Sequence, residues 1–263
     1  MADQLAGKVV VVAGASAGIG LAASRRCAAE GADVVMLARG QERLAAGAAA
    51  AGERAVPVVC DIVRPDSVRA AFAQIAERFG KVDALLNVAG VARIRRIEDA
   101  TDDDIDFVFG VNLLGPIYTT RAAIPLMRAA GAGDVINVSS EIVDDYMPRM
   151  VLYGTSKGGL DTFSRMMVHE LKADNIRICQ YVSGSVGGTA FGDNFAAGEV
   201  EGVWPEWDAS GYLTRVAGPG MDPDWMADAI VFALTRPRGQ MIDVIHVRSF
   251  APGHDTDQPT LPT

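Results

Sequence analysis

Tyr153 and Lys157, within Tyr153-Gly154-Thr155-Ser156-Lys157, place a phenol and an ammonium four residues apart. On a helix that spacing puts both on one face, where the lysine charge favours the phenolate and makes Tyr153 a usable proton donor or acceptor near neutral pH. Such a pair can move a proton to or from an oxygen of a bound molecule. Surface charge on an ordinary helix produces the same pattern, so its meaning depends on what accompanies it.

The accompaniment stands at the other end of the chain. Lys8-Val9-Val10-Val11-Val12-Ala13 reads as a buried strand running into Gly14-Ala15-Ser16-Ala17-Gly18-Ile19-Gly20 and then a helical stretch. Glycines permit a tight turn and let backbone approach a pyrophosphate, and the amides opening a helix attract its charge. The spacing is Gly-x-x-x-Gly-x-Gly and not the commoner Gly-x-Gly-x-x-Gly.

With 263 residues and 49% hydrophobic content, the chain suits one large α/β domain. Its 24 basic and 33 acidic residues leave a net charge of −9, which argues against a nucleic-acid or anionic-membrane partner. Apolar runs are strand-sized, well short of a ~20-residue membrane span, and Met1 to Lys8 lacks the basic start and apolar core of a signal peptide, so a cytoplasmic protein is expected. Cys27, Cys60 and Cys179 are widely separated, which predicts small buried hydrophobes and neither a disulfide framework nor a zinc site. His169, His246 and His254 form no metal or triad pattern, and no metal is expected.

Apolar runs alternate with helical patterns. Strands are expected at Val9 to Ala13, Asp33 to Ala38, Ala55 to Asp61, Ala84 to Ala89, Asp134 to Ser139, Ile176 to Val182 and Met241 to Arg248. Helices are expected at Ile19 to Glu30, Gln41 to Ala51, Ser67 to Phe79, Asp102 to Ala130, Tyr153 to Ala173 and Pro223 to Thr235. This alternation predicts a doubly wound, mostly parallel seven-stranded Rossmann-type α/β sheet with helices on both faces, binding ligands at the carboxyl ends of its strands.

Assembled in this order, residues 5 to 250 resemble the short-chain dehydrogenase/reductase family in its compact form. The resemblance implies that Gly14, Ser16, Gly18, Ile19 and Gly20 hold a cofactor pyrophosphate. It also implies that Asp61, with Ile62 beside it, contacts the adenine, and that Asn87-Val88-Ala89-Gly90 steadies the central sheet. Asn112 would hold a proton-relay water, Ser140 would orient the substrate oxygen, Tyr153 would be the acid/base, and Lys157 would bind the nicotinamide ribose and lower the tyrosine pKa. Ser140 is preferred to Ser139 because relatives place this serine thirteen positions before the tyrosine. The Tyr153 to Lys157 gap matches family members acting on carbonyls and alcohols, and such enzymes are dimers or tetramers built on their two long helices.

Cofactor choice rests on the second strand. Ala38 stands where an NAD-preferring site places an acid, and Arg39 follows; a guanidinium suits a 2′-phosphate, so NADP(H) is favoured over NAD(H). After the sixth strand the family's Pro-Gly is replaced by Ser183-Gly184-Ser185, leaving Val186 and Thr189 as the carboxamide contacts.

Residues 190–223 fill the place of a substrate lid. Phe191, Phe195, Trp204, Trp207, Tyr212 and Leu213 there read either as its apolar underside over a bulky or ring-bearing substrate or as packing anchors. Tyr146, Met147 and Met150 are placed along the pocket. Arg93, Arg95 and Arg96 read as a solvated loop paired with Glu98 and Asp99 in preference to an anion subsite. A flexible tail is expected over 251–263. The resulting expectation is hydride transfer between NADP(H) or NAD(H) and a small-molecule carbonyl or secondary alcohol. The alternatives are a non-catalytic dinucleotide sensor or scaffold, and a lyase or isomerase on the same fold.

Overall fold

The structure is a computed structural model that describes residues 3–195, 198–212 and 220–249. Seven parallel strands form one sheet in the order β3-β2-β1-β4-β5-β6-β7. They are β1 Val9–Ala13, β2 Asp33–Ala38, β3 Ala55–Val59, β4 Ala84–Asn87, β5 Gly133–Ser140, β6 Ile176–Ser183 and β7 Val244–Val247. The helices are α1 Gly18–Ala29, α2 Gln41–Ala51, α3 Pro65–Phe79, α4 Asp102–Phe109, α5 Gly115–Ala130, α6 Val151–Leu171, α7 Glu199–Ala209 and α8 Pro223–Leu234.

Period-two alternation assigns each strand residue to one of two cores. Val10, Val12, Val34, Met36, Leu86, Ile136 and Tyr181 share one face with Ala23, Leu44 and Ile230 from α1, α2 and α8. Val9, Val11, Val35, Leu37, Leu85, Val135 and Ile178 share the other with Phe72, Met127 and Leu171 from α3, α5 and α6. β1 is apolar throughout because both of its faces are covered.

Several elements depart from the expected ones; β7, expected over Met241 to Arg248, spans only Val244–Val247, where it pairs with β6. The stretch from Asp102 to Ala130 is broken at Gly110–Leu114, a π-helical turn between α4 and α5. Gly110, Gly115 and Pro116 lie at the break, where helix propensity is weakest. β3 stops at Val59 because Asp61 turns the chain, accepting a hydrogen bond from the Val63 amide at 3.3 Å. β4 stops at Asn87 because the Val88 and Ala89 amides both donate to the Ala13 carbonyl. The tail over 251–263 lies outside the described residues.

Deep in the sheet, polar side chains lock the strands to the helices. Asn87 Nδ2 donates to Asn137 Oδ1 at 2.8 Å, and Asn137 Nδ2 donates to Ser164 Oγ of α6 at 2.9 Å. Thr119 Oγ1 of α5 donates to Asn87 Oδ1 at 2.7 Å. All four residues are buried, so each bond replaces one that water cannot supply. Replacing Asn137 by leucine takes away the best acceptor of Asn87 Nδ2, which keeps only Thr120 Oγ1 at 3.3 Å, and the donor to Ser164 Oγ, which keeps its bond to the Leu160 carbonyl. Equilibrium urea denaturation should show a loss of roughly 1–3 kcal/mol for the weakened buried network, whereas Ser164→Ala should cost less.

Candidate active site

The carboxyl ends of β1, β4, β5 and β6 bring the sequence-selected residues to one edge of the sheet. After β1 the chain turns at Gly14, whose φ of +91° disfavours a side chain and where a Cβ would lie 2.6 Å from the Ala89 amide nitrogen. Gly20 in the first turn of α1 leaves no room for a Cβ against the Gly14 carbonyl. Ala17 is the N-cap of α1 and offers no side-chain acceptor, and the first turn carries no acid. The orphan donors of this helix end are thus left to an anion. A cradle that only backbone can line, ending in an uncapped helix, fits the pyrophosphate of a dinucleotide. Thr189 closes over it, a Cβ on Gly18 falling 3.0 Å from the Thr189 side chain, while Val186 forms an isolated bridge with Met221.

The neighbouring expected positions fall as follows. Arg39 is exposed at the end of β2 beside Ala38, with no acid in its place. Asp61 is partly buried and shapes its own turn, and Ile62 packs beneath Gly115. Asn87 belongs to the buried network, Ala89 abuts Gly14, and Gly90 faces the α6 lysine, since a Cβ there would lie 3.5 Å from Lys157 Nζ and 3.9 Å from Asn112 Oδ1. Asn112 sits in the π-helical turn, wholly buried. Its Oδ1 accepts from the Val91 amide at 2.9 Å, and its Nδ2 donates to the Val91 carbonyl at 2.8 Å and to Ser156 Oγ at 2.9 Å. That Ser156 closes this link was not seen in the sequence, although it lies inside the Tyr153 to Lys157 run.

Strand alternation separates the two serines at the end of β5. Ser139 turns toward Asp161, whereas Ser140 turns toward Tyr153, its Oγ accepting from the Ile142 amide at 3.3 Å. Lys157 Nζ donates to the Val138 carbonyl at 2.7 Å and stands 6.0 Å from the Tyr153 ring centroid. The electrostatics differ from the expectation that the lysine would lower the phenol. Burial pushes Tyr153 up to about 12, with the Ser140 hydrogen bond opposing and the Glu141 charge adding. Burial likewise brings Lys157 down to about 8, with the Asp161 carboxylate opposing. Desolvation is the largest cause at both groups, and neither shift draws on the charge of the other.

Over these lie residues 190–195 and 198–212. They contain α7, a helix hidden in the sequence by Pro205, which removes an amide donor from its interior. Phe191 packs on the Tyr153 ring with centroids 5.3 Å apart, and Phe195, Trp204, Val203 and Trp207 join Ala92, Ile94, Ile142, Met147 and Met150 in a third apolar cluster. Tyr146, expected along the pocket, is 76% exposed, because the chain turns outward before α6. Residues 196–197 and 213–219, including Leu213, lie outside the described residues.

The three arginines after β4 do not pair with Glu98 and Asp99. Arg93 binds Asp104 and the Asn194 carbonyl, Arg95 binds Asp104 and Glu199, and Arg96 binds Glu206, which also takes Arg149. These ion pairs fasten α7 to the loop beneath it, and their acids come from elements distant in sequence. Also unforeseen is Glu141, directly after Ser140, which is 2% exposed and accepts from the Tyr212 hydroxyl at 3.2 Å. Its signal was an acid directly after the two serines that close β5.

The short chain dehydrogenase family model matches residues 8–199. Short-chain reductase protein NovJ of Streptomyces niveus is 32% identical over 246 residues, 91% of this chain and 92% of the relative. A metagenomic short-chain oxidoreductase solved in complex with NADP superposes with a TM-score of 0.77 at 28% identity, covering 95% of this chain and 100% of that one. An alcohol dehydrogenase from Thermococcus sibiricus complexed with 5-hydroxy-NADP gives 0.78 at 25% identity, covering 94% and 99%.

The depressed lysine has a consequence for stability. Lys157 titrates near 8 when folded against 10.5 for its ordinary value, so between those values the unfolded chain binds the extra proton and stability rises with pH. Below pH 8 both states are charged and the burial penalty is fully felt. Thermal melts of Lys157→Met against the unaltered protein should show the variant more stable at pH 7 and the difference shrinking from pH 8 to 10.

Proposed function

We propose, from the premise that this chain belongs to the short chain dehydrogenase family of NAD(P)-dependent oxidoreductases, that it transfers a hydride between NADP(H) and a carbonyl or secondary alcohol, with Tyr153 as acid/base. The observation that carries this reading is the meeting of Ser140 and Tyr153 hydroxyls beside Lys157, at the same sheet edge as the uncapped glycine turn. The nicotinamide, when bound, supplies or accepts the hydride. Gly14, Ser16, Gly18, Ile19 and Gly20 hold its pyrophosphate, Asp61 and Ile62 lie toward the adenine, and Val186 and Thr189 face the carboxamide. Asn87, Ala89 and Gly90 form the wall between them.

In the reductive direction, Ser140 and Tyr153 donate to the substrate oxygen and stabilise its developing charge. A phenol held at about 12 keeps its proton at neutral pH. It gives that proton up readily to an alkoxide, which is about as basic as hydroxide, whose conjugate acid water has a pKa of ~15.7. Lys157 and Asn112 face each other across Gly90, a lane through which water returns the proton. Lys157 also binds the ribose.

Arg39 beside Ala38 supports NADP(H), a preference in keeping with the NADP-type ligands of both solved relatives. Ile105, Val151 and Met166, exposed on α4 and α6, support a dimer or tetramer built on those helices.

Tyr153→Phe should keep NADPH affinity by fluorescence titration within about twofold, while turnover in a ketone and alcohol screen falls by at least the ~100-fold typical of a lost general acid. Unchanged turnover would remove Tyr153 from the chemistry. Arg39→Asp should weaken NADPH binding about 10- to 100-fold, the loss of one charge-assisted contact, and improve NADH use. Equal affinity for both cofactors before and after the change would remove Arg39 from the site.

A further inference from the structure

Phe191 takes no part in the proton transfer and yet lies against the residue that performs it. Its ring packs on the Tyr153 ring with centroids 5.3 Å apart and planes tilted by 60°, and Phe195 meets it edge-on at 5.6 Å and 89°. Its backbone is held on both sides. The Phe191 amide donates to Thr189 Oγ1 at 3.4 Å, and its carbonyl accepts from Asn194 Nδ2 at 3.1 Å. Phe191 and Phe195 are only partly buried, packed on a cluster whose buried members include Ile94, Ile142 and Trp207. A corner of two tilted rings with part of its surface still open accepts a third ring in offset or edge-to-face geometry.

Arg93 sets that corner. Its guanidinium lies over the Phe107 ring at 4.3 Å, donates from Nε to Asp104 Oδ1 at 3.0 Å and donates from Nη1 to the Asn194 carbonyl at 2.7 Å. Asp104 is itself buried and fixed by the capping box that opens α4. Contacts therefore run without a gap from α4 through Arg93 and Asn194 to Phe191 and the Tyr153 ring. The planar fork of arginine serves Asp104 and Asn194 at once, which an ammonium does not. The neighbouring arginines are already matched by acids, Arg95 by Asp104 and Glu199, Arg96 and Arg149 by Glu206. An anion seated against this apolar cluster would lose its water and gain no counter-charge.

We propose that Phe191 is a specificity-determining residue that takes the ring of an uncharged aryl or cycloalkyl ketone, or of the matching carbinol, and that Arg93 is the positioning residue that holds Phe191 there through Asn194. A ring bonded to the reacting carbon starts two bonds from the oxygen that meets Tyr153. Phe191 stands one ring contact from Tyr153, so the two rings meet. This assignment rests on the Ser140 and Tyr153 reading for the position of the reacting oxygen.

Binding and turnover test the two readings separately. Ligand-observed NMR titration of the NADP⁺-loaded protein would compare 1-phenylethanol, butan-2-ol and 4-(1-hydroxyethyl)benzoate. The unaltered protein should bind 1-phenylethanol at least about tenfold more tightly than either of the others. Phe191→Ala should weaken 1-phenylethanol about tenfold and leave butan-2-ol within about twofold. Arg93→Met should weaken 1-phenylethanol alone, with Arg93→Lys and Asn194→Ala intermediate. Added to Phe191→Ala, Arg93→Met should bring no further loss, because residues acting through one contact are not additive. Equal binding of 1-phenylethanol and butan-2-ol, or an equal loss of both in Phe191→Ala with an unchanged thermal melt, overturns the ring subsite. Benzoate binding as tight as that of 1-phenylethanol overturns the uncharged class. A loss from Arg93→Met, or from Arg93→Lys where the former does not fold, that persists undiminished beside Phe191→Ala overturns the positioning role. In steady-state reduction of acetophenone and butan-2-one by NADPH, Phe191→Ala should raise KM for acetophenone at little change in kcat. Tyr153→Phe retains the ring on which Phe191 packs and should keep the binding preference, so turnover persisting in that variant would strike the proton-transfer reading and leave the subsite standing.

Discussion

The hydrogen bond from Lys157 Nζ to the Val138 carbonyl, 2.7 Å long and buried, holds the rest of the site in register. It ties α6 to β5 at the point where the strand still points its carbonyl sideways, two residues before Ser140. One helical turn back along α6, Tyr153 then stands over the strand end and meets the Ser140 hydroxyl. Shift the helix by one residue and the phenol leaves the serine. The Asn137 to Ser164 bond, further down the same strand and helix, repeats the constraint with neutral groups.

Holding an ammonium there has an electrostatic cost. Burial draws Lys157 down to about 8 and sends Tyr153 up to about 12, so at neutral pH the site holds a charged amine beside a neutral phenol. That protonation pattern suits donation to an oxygen more than abstraction from one. On the proposed reading, function and stability pull in opposite directions at Lys157, as they commonly do where a polar group is kept inside a core.

Most of the sheet was legible because a parallel strand covered on both faces runs almost continuously apolar, as Val9 to Ala13 and Val34 to Ala38 do. Helix interiors were legible while their periodicity ran unbroken. Legibility failed where local and tertiary forces disagree. Gly110 to Pro116 looked like continuous helix, but packing of Ile62 against Gly115 and the hold of Asn112 on Val91 favour a π-helical turn. α7 was obscured by Pro205, and packing of Val203 and Trp207 outweighs the missing amide bond. The partners of Arg95 and Arg96 could not be found locally, since Glu199 and Glu206 arrive from about a hundred residues away.

By itself the sequence determined the fold class, the glycine turn, and the order of Asn112, Ser140, Tyr153 and Lys157, because each follows from local spacing, strand and helix period, or family pattern. Only the tertiary structure decided which way the lysine and tyrosine pKa values move and that Glu141 is buried. Desolvation and strand-end facing depend on what covers a residue from elsewhere in the chain, and no local spacing records that.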